Sequence, residues 1–223
     1  MKNSVAESLD PKKETKGKII GGEAKQINEF RKKGKSICGN LISKVIAYSM
    51  GVLEVNASMG LIVASPTAGS SGVFPGVFVA LQEEFEFSDK QIVQALSNAG
   101  AVGAIISRNA TVSGAEGGCQ AEIGSASAMT ASAVCELFGG SPVQCLDAAS
   151  FALANILGLV CDPIAGLVEC PCQSRNAAGA TGALVAAEIV LAGVEKTIRF
   201  DEMVEVMFDV GKRLPPELRE KRL

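Results

Sequence analysis

The sequence predicts an all-α fold, a compact bundle of largely buried helices joined by long glycine-rich loops. Apolar residues recur at helical spacing along most of the 223-residue chain. Several of these segments consist almost wholly of Ala, Ile, Leu, Val and small polar residues, which is typical of helices buried on most sides. The strand candidates are 183–191 and 197–200, and the first contains too much alanine to favour a sheet.

Eight helices are predicted, at 23–33, 38–54, 75–84, 88–106, 120–138, 141–160, 177–192 and 200–211. Two of the helix starts have local signals. Ser88 stands ahead of Asp89 as a cap, and Ser141-Pro142 puts proline at the first helical position. Residues 1–18 are polar and lack apolar periodicity, so they are predicted to be a disordered tail, with a fragment of a larger element as the alternative. Residues 19–223 then form one domain.

The composition excludes several classes of protein. A hydrophobic content of 48% and a charged content of 20% are those of a globular protein with one core. The net charge of −3, a single Tyr and no Trp argue against nucleic-acid binding. The charge-free run 55–82 is long enough to span a bilayer, but Pro66, Pro75 and several glycines interrupt it. No membrane association is expected.

The cysteines indicate a reducing compartment. Seven cysteines occur without an apolar N-terminal segment of the kind that directs secretion, which argues against a disulfide framework and favours a cytoplasmic location. Histidine is absent, which removes both the commonest general base and the commonest zinc ligand. Any catalysis must therefore use other groups.

Three of the cysteines lie where glycine or proline breaks the chain. Cys119 follows Gly118, Cys161 precedes Asp-Pro, and Cys172 follows Pro171. A thiol that fills space usually lies within a helix, whereas a metal or cluster needs sulfurs that irregular turns bring to one point. We therefore interpret the three as ligands of an iron–sulfur site. Because their spacing lacks the tight Cys-x-x-Cys pairs of zinc sites and ferredoxins, three core thiols stay the alternative.

The other residues near this site have less specific signals. Cys38, Cys135 and Cys145 fall within helical patterns and are predicted to be buried thiols, while the role of Cys170 stays open. Charged residues beside the three candidates either orient thiolates or substrate or are solvated loop charges; these are Glu116, Glu122, Asp162, Glu169 and Arg175.

The glycine-rich connections 56–74, 109–118 and 161–179 are predicted to converge on this site, although small residues also permit close helix crossings. Three thiolates would leave one iron of a four-iron cluster open as a Lewis acid for a substrate oxygen, which is the chemistry of a hydro-lyase. Segment 56–72 offers hydroxyls, an amide and accessible backbone N–H groups that suit a carboxylate. A plain turn or a phosphate loop is the alternative, but no Gly-Lys-Ser/Thr follows.

These motifs resemble those of one family. Thr-Val-Ser-Gly-Ala-Glu-Gly-Gly-Cys-Gln-Ala-Glu-Ile-Gly at 111–124, Gly-Leu-Val-Cys-Asp-Pro-Ile-Ala-Gly-Leu-Val-Glu at 158–169 and Pro-Cys-Gln-Ser-Arg-Asn at 171–176 resemble iron–sulfur-dependent L-serine dehydratase alpha chains. Asn-Ala-Ser-Met-Gly (56–60) and Ser-Pro-Thr-Ala-Gly (65–69) match the same pattern. The resemblance extends from about residue 21 to 216.

The resemblance implies an all-helical iron–sulfur catalytic domain over 19–223 and a reaction that converts L-serine to pyruvate and ammonia without pyridoxal phosphate. Cys119, Cys161 and Cys172 would be the three protein ligands of a [4Fe-4S] cluster. The implied substrate-site residues are Asn56, Ser58, Thr67, Gly69 and Ser70.

A separate beta chain usually accompanies such alpha chains and is the expected partner. With no histidine in this sequence the catalytic base is unassigned, and the partner is a possible source of it. Alpha chains of this kind commonly extend further at the N-terminus, and whether this sequence is a truncated form stays open. The alternatives are a cysteine desulfidase or threonine dehydratase of the same fold, or a non-catalytic helical assembly partner.

Overall fold

The computed structural model describes residues 1–10, 14–195 and 198–219, which contain helices and no strand. The predicted all-α fold class is confirmed. Short π-helical and 3-10 segments lie at Gln120–Gly124, Ile164–Gly166 and Pro216–Leu218. The α-helices are α1 (Lys2–Ser8), α2 (Glu23–Lys32), α3 (Gly39–Ala57), α4 (Val73–Phe85), α5 (Asp89–Asn109), α6 (Gly114–Gly117), α7 (Ser125–Leu137), α8 (Pro142–Ile156), α9 (Cys172–Leu191) and α10 (Phe200–Arg213).

Helices α1 and α9 differ from the sequence-based expectation. Part of the expected N-terminal tail forms α1, in which Val5 and Ser8 are buried while the charged side chains stay outside. One buried apolar residue in seven is too few to produce a helical period. Helix α9 begins at Cys172 rather than near residue 177, so that a predicted loop cysteine is the first residue of a helix.

The chain divides into two units. Unit 1 comprises Met1–Phe87 and Pro163–Thr181, which includes α1 to α4 and the first part of α9. Helix α3 is its centre and packs against α1, α2 and α4. Val52 and Leu53 of α3 are fully buried, and Phe74 and Phe78 of α4 stack with ring centroids 4.1 Å apart.

Unit 2 comprises Ser88–Asp162 and Gly182–Leu223, and its core surrounds α7. Helix α7 packs against α5 and α8, and α10 packs against α8. Every residue of α7 from Ser125 to Cys135 is buried, which its Ala and Ser content permits because small side chains let neighbouring helices approach on all sides. Among the described residues, no helix has both the length and the apolar character that crossing a bilayer requires.

Both predicted helix caps are present. Ser88 accepts a hydrogen bond from the Gln91 backbone N–H while the Gln91 side chain accepts one from the Ser88 N–H, and Ser141 and Gln144 form the same pair ahead of α8. Each reciprocal pair satisfies backbone N–H groups that the first turn of a helix leaves without partners.

Replacing Ser141 with alanine should lower the free energy of unfolding by about 1 kcal/mol, because the Gln144 N–H loses its acceptor. Urea denaturation followed by circular dichroism measures the change. Ser97→Ala is the matched control, since Ser97 is exposed within α5 and its hydroxyl donates only to a helical carbonyl. An equal loss in both variants would show that the Ser141 cap contributes nothing specific.

Candidate functional site

The segment Ser65–Gly72, here called the hydroxyl loop, lies between α3 and α4 in unit 1. Thr67 and Ser70 are paired within it: their hydroxyl oxygens lie 3.0 Å apart, and each backbone N–H donates to the other residue's hydroxyl at 3.3 Å. The Ser70 hydroxyl is also 3.3 Å from the carbonyl oxygen of Ser65. The loop is therefore a closed turn in which the hydroxyls of Thr67 and Ser70 lie next to each other.

The other predicted substrate residues lie beside this turn. The Asn56 amide donates to the Ala68 carbonyl at 3.4 Å, which brings the end of α3 to the hydroxyl loop. The Ser58 hydroxyl donates to the Glu54 carbonyl of its own helix end. Ser71 is fully buried, and its hydroxyl has no hydrogen-bond partner within the described part of the chain. Asn56, Thr67, Gly69 and Ser70 are thus gathered in one region of unit 1, and their substrate role stays a prediction.

A buried amide connects the hydroxyl loop to the turn that carries Cys172. Asn176 has no exposed surface, and it lies one helical turn after Cys172 in α9. Its Nδ2 donates to the carbonyl oxygens of Gly69 at 2.7 Å and Cys172 at 2.9 Å, while its Oδ1 accepts from the Gly72 N–H at 2.9 Å. One side chain therefore positions the loop relative to the cysteine.

A second buried network lies immediately after Cys172. The Gln173 amide donates to Glu54 of α3 at 2.9 Å and to Glu23 of α2 at 3.2 Å. Glu54 also accepts from the N–H groups of Gly22 and Ala24, both at 2.9 Å, at the start of α2. Only 2% of Glu54 is exposed, and this burial, with the neighbouring Glu23, raises the pKa of its carboxyl group.

The raised pKa of Glu54 predicts a pH-dependent stability. The folded protein retains a proton that the unfolded chain releases above its ordinary pKa of 4.5, so this group's contribution is fully present below pH 4.5 and is lost as the pH rises through the folded-state pKa. Burial alone would also raise the pKa of Glu23, but backbone hydrogen bonds outweigh it and lower the pKa. The contribution of Glu23 to stability is therefore present above pH 4.5 and is lost only as the pH falls below that value.

Urea unfolding at a series of pH values above 4.5 measures this effect. Glu54→Gln, which cannot ionise, should flatten the decline seen in the unsubstituted protein. Glu29→Gln, which changes an exposed carboxylate on α2, should leave the decline as it is. A decline that persists in Glu54→Gln would mean that another group is responsible.

In unit 2 a buried glutamine directly follows Cys119, as Gln173 directly follows Cys172 in unit 1. Gly118 adopts a φ of 77°, a left-handed conformation that favours glycine, and Cys119 follows it at the start of the π-helical segment. The next residue, Gln120, is 1% exposed. Its N–H donates to the Leu159 carbonyl at 2.9 Å, and its Oε1 accepts from the Gly158 N–H at 2.8 Å.

Gln120 therefore connects the Cys119 turn to the segment that leads into Cys161. Its Nε2 also donates to the carbonyl oxygens of Gly117 and Met207, both at 2.9 Å, so every polar atom of this side chain is used. The Cys161 N–H donates to the Leu218 carbonyl at 2.8 Å, which fixes the second turn to the C-terminal 3-10 segment. Cys119 and Cys161 are held within unit 2, and Cys172 within unit 1.

The remaining cysteines agree with the sequence analysis in two cases and differ in one. Cys135 and Cys145 are buried, and the hydrogen bond between their thiols, together with burial, raises the pKa of Cys135. Cys38 was predicted to be buried, but it is exposed, because α3 begins only at Gly39 and Cys38 lies outside it as the N-terminal flanking residue. Cys170 is half-buried. All seven cysteines lie in the described ranges, and none is in a disulfide.

The thiol donors fit the chemistry of an iron–sulfur cluster. Cys119, Cys161 and Cys172 are all buried, and each lies at an irregular turn or a helix start. Soft thiolates are the ligands that such clusters require. Within the described ranges, however, no three Cys, Asp or Glu side chains form a group that could hold a metal ion. Their role as cluster ligands stays a prediction.

Sequence reasoning missed the buried amides and carboxylate that position these elements, namely Glu54, Gln120, Gln173 and Asn176. Gln120 and Gln173 each directly follow a candidate cysteine, and this adjacency is the one signal in the sequence. Most of their partners lie far away along the chain, so no local pattern identifies them.

Comparison with known proteins identifies a family. The sequence model of the serine dehydratase alpha chain family matches residues 1–223. The L-serine dehydratase alpha chain of Peptoniphilus asaccharolyticus is 48% identical over 223 residues, covering 100% of this chain and 76% of that protein. A probable L-serine dehydratase alpha chain of Bacillus subtilis (strain 168) is 46% identical over 202 residues, covering 91% of this chain and 67% of that protein.

Longer relatives contain the same region. L-serine dehydratase TdcG of Escherichia coli (strain K12) is 40% identical over 184 residues, which cover 81% of this chain and 40% of that protein. The chain thus spans less than half of that relative.

Proposed function

The chain belongs to the serine dehydratase alpha chain family, and we propose that it is the alpha subunit of a pyridoxal-phosphate-independent L-serine dehydratase. In this proposal it converts L-serine to pyruvate and ammonia and is a lyase. The observation that carries the proposal is the Asn176 bridge, which joins a loop of paired hydroxyls to the turn of a candidate ligand cysteine. A substrate-binding loop and a ligand turn need such a rigid connection if they serve one reaction.

Cys119, Cys161 and Cys172 are the residues that would hold a [4Fe-4S] cluster. With three protein ligands, such a cluster supplies a Lewis acid at the remaining iron for the hydroxyl group of the substrate. The burial of the three thiols supports this assignment, because a dry, enclosed environment limits loss of a labile iron to solvent.

The chain's own loop groups would bind and orient the amino acid. In the proposal the hydroxyls of Thr67 and Ser70 and the loop N–H groups bind the carboxylate, and Asn56 borders the same turn. Loss of water from serine then gives an enamine, which tautomerises and hydrolyses to pyruvate and ammonia. No residue is assigned as the base that removes the proton from the α-carbon.

A beta chain is the proposed partner, and the cytoplasm the proposed location. The relatives' names support the partner, since two of them are alpha chains, while TdcG contains this region within a longer single chain. A division of one enzyme between two chains accounts for both arrangements. The missing base then has a natural source in the partner.

The test is anaerobic reconstitution of the chain, alone and together with its beta chain, followed by measurement of iron, acid-labile sulfide and turnover. We expect about four irons per chain and release of pyruvate from L-serine. Faster release of sulfide from L-cysteine, or of oxobutyrate from L-threonine, would replace the proposed substrate. Failure to bind iron in either preparation would favour a non-catalytic assembly partner.

A further inference from the structure

The segment Thr15–Ile20, here called the N-terminal strap, surrounds a buried carboxylate. Glu169 Oε1 accepts a hydrogen bond from the Gly17 N–H at 2.6 Å, and Oε2 accepts from the N–H groups of Ile19 at 3.0 Å and Ile20 at 3.3 Å. Only 3% of Glu169 is exposed. A carboxylate removed from water in this way depends on its hydrogen-bond donors, and three backbone N–H groups supply them.

The strap is itself fixed in unit 1. The Thr15 hydroxyl donates to the Ile20 carbonyl at 2.7 Å and closes the strap on itself. The Lys16 N–H donates to the carbonyl of Ala57, the last residue of α3, at 2.8 Å. The strap therefore gives Glu169 a firm support that also contacts the helix leading into the hydroxyl loop.

The strap approaches the Glu169 side chain closely at Gly17. A Cβ atom on Gly17 would lie 2.7 Å from Glu169 Oε1 and 2.5 Å from Leu167 Cδ1. These distances are shorter than van der Waals contact. A side chain at position 17 must therefore displace the Glu169 carboxylate, the Leu167 side chain or the strap itself.

Glu169 also shapes the turn that leads to Cys172. Its carbonyl accepts from the Gln173 N–H at 2.9 Å, and its N–H donates to the Leu167 carbonyl at 2.8 Å. The Cys170 carbonyl accepts from the Ile164 N–H at 2.9 Å and closes the same turn. Glu169 thus joins the strap, through its side chain, to the first turn of α9, through its backbone.

We propose that Glu169 is a positioning residue for Cys172. In this proposal the N-terminal strap holds the Glu169 side chain in place, and the Glu169 backbone in turn fixes the turn that leads to Cys172. The inference rests on the proposed function only in taking Cys172 as a cluster ligand. It assigns a role to Thr15–Ile20, which the sequence alone assigned mainly to a polar tail.

The experiment compares Glu169→Gln and Gly17→Ala in the whole 223-residue chain. Glu169→Gln removes the negative charge and turns one acceptor into a donor, and Gly17→Ala disrupts the contact between the strap and the carboxylate without changing any charge. In the apo-protein, alkylation of Cys172 by iodoacetamide, followed by peptide mass spectrometry, should become about tenfold faster or more in both variants because the turn opens more often. In the same two variants, iron uptake on anaerobic reconstitution and the visible absorption of the cluster should both decrease.

Controls separate positioning from general destabilisation. Glu14→Gln and Lys16→Ala change exposed side chains, the first directly before the strap and the second within it, and both should behave as the unsubstituted protein does. Cys135, which is buried in unit 2, reports on whole-chain unfolding and should keep its alkylation rate. The double variant should match either single variant, because both changes disrupt the same contact.

Unchanged Cys172 alkylation and iron uptake in both variants would overturn the inference. Acceleration at Cys135 equal to that at Cys172 would also overturn it, because general unfolding would then explain the result. If the unsubstituted protein takes up no iron, the proposed function fails, while the alkylation rates still decide whether Glu169 positions the turn.

Discussion

Replacing Cys161 with serine is expected to abolish cluster binding, reducing the iron content after anaerobic reconstitution from about four per chain to almost none. A serine hydroxyl is a harder and much weaker ligand for iron than a thiolate, and the remaining two sulfurs would not retain a cluster. The fold should survive, because the hydrogen bond that fixes this position uses the Cys161 backbone N–H, which the substitution leaves in place.

Cys145→Ser is the matched control. Cys145 is buried in α8, beside the Cys135 thiol and 3.8 Å from the Gly140 carbonyl, and it belongs to none of the turns that carry candidate ligands. Its replacement should cost about 1–2 kcal/mol of unfolding free energy and leave the iron content as it was. Equal loss of iron in the two variants would contradict the assignment of Cys161 as a ligand.

Much of the fold follows from local rules that the sequence displays. Ser88 and Ser141 open helices because a hydroxyl ahead of a helix accepts the N–H groups of its first turn, and both capping boxes are present. The long apolar runs with small residues become central helices, as α7 illustrates. In these segments propensity, patterning and packing all favour the same structure.

The departures occur where long-range contacts decide the conformation. Helix α1 owes its place to packing against α3, which no seven-residue pattern encodes. Helix α9 extends back to Cys172 because Glu169 and Pro171 supply carbonyl acceptors for the N–H groups of Gln173 and Arg175. The sequence analysis instead placed Cys172 in the glycine-rich connection 161–179, because these carbonyl acceptors are known only once the turn has its folded geometry.

The candidate site shows the same limit. Its cysteines and hydroxyls are recognisable, since thiols at broken turns and Thr or Ser beside glycine are local signals. The amides that hold these elements are not recognisable, because Gln120, Gln173 and Asn176 act on partners that are distant along the chain. In the sequence alone, such polar side chains cannot be distinguished from ordinary loop or helix residues, because their hydrogen-bond partners are known only from the fold.

Replacing Asn176 with alanine is expected to reduce kcat/KM for L-serine by about a hundredfold, which is the effect of misplacing a catalytic element by roughly 1 Å. Without the amide, the Gly69 carbonyl and the Gly72 N–H lose buried partners, at about 1–3 kcal/mol each. Steady-state kinetics and urea unfolding of the reconstituted enzyme measure the two effects.

Ser174→Ala is the matched control for Asn176→Ala. Ser174 lies in the same turn of α9, but it is exposed and its hydroxyl donates only to the Pro171 carbonyl, so both kcat/KM and stability should change little. If Asn176→Ala lost stability but kept its kcat/KM, the amide would be a core contact that supports the fold alone. Loss of kcat/KM beyond that of Ser174→Ala, in a folded protein, instead requires that the hydroxyl loop and the Cys172 turn act together.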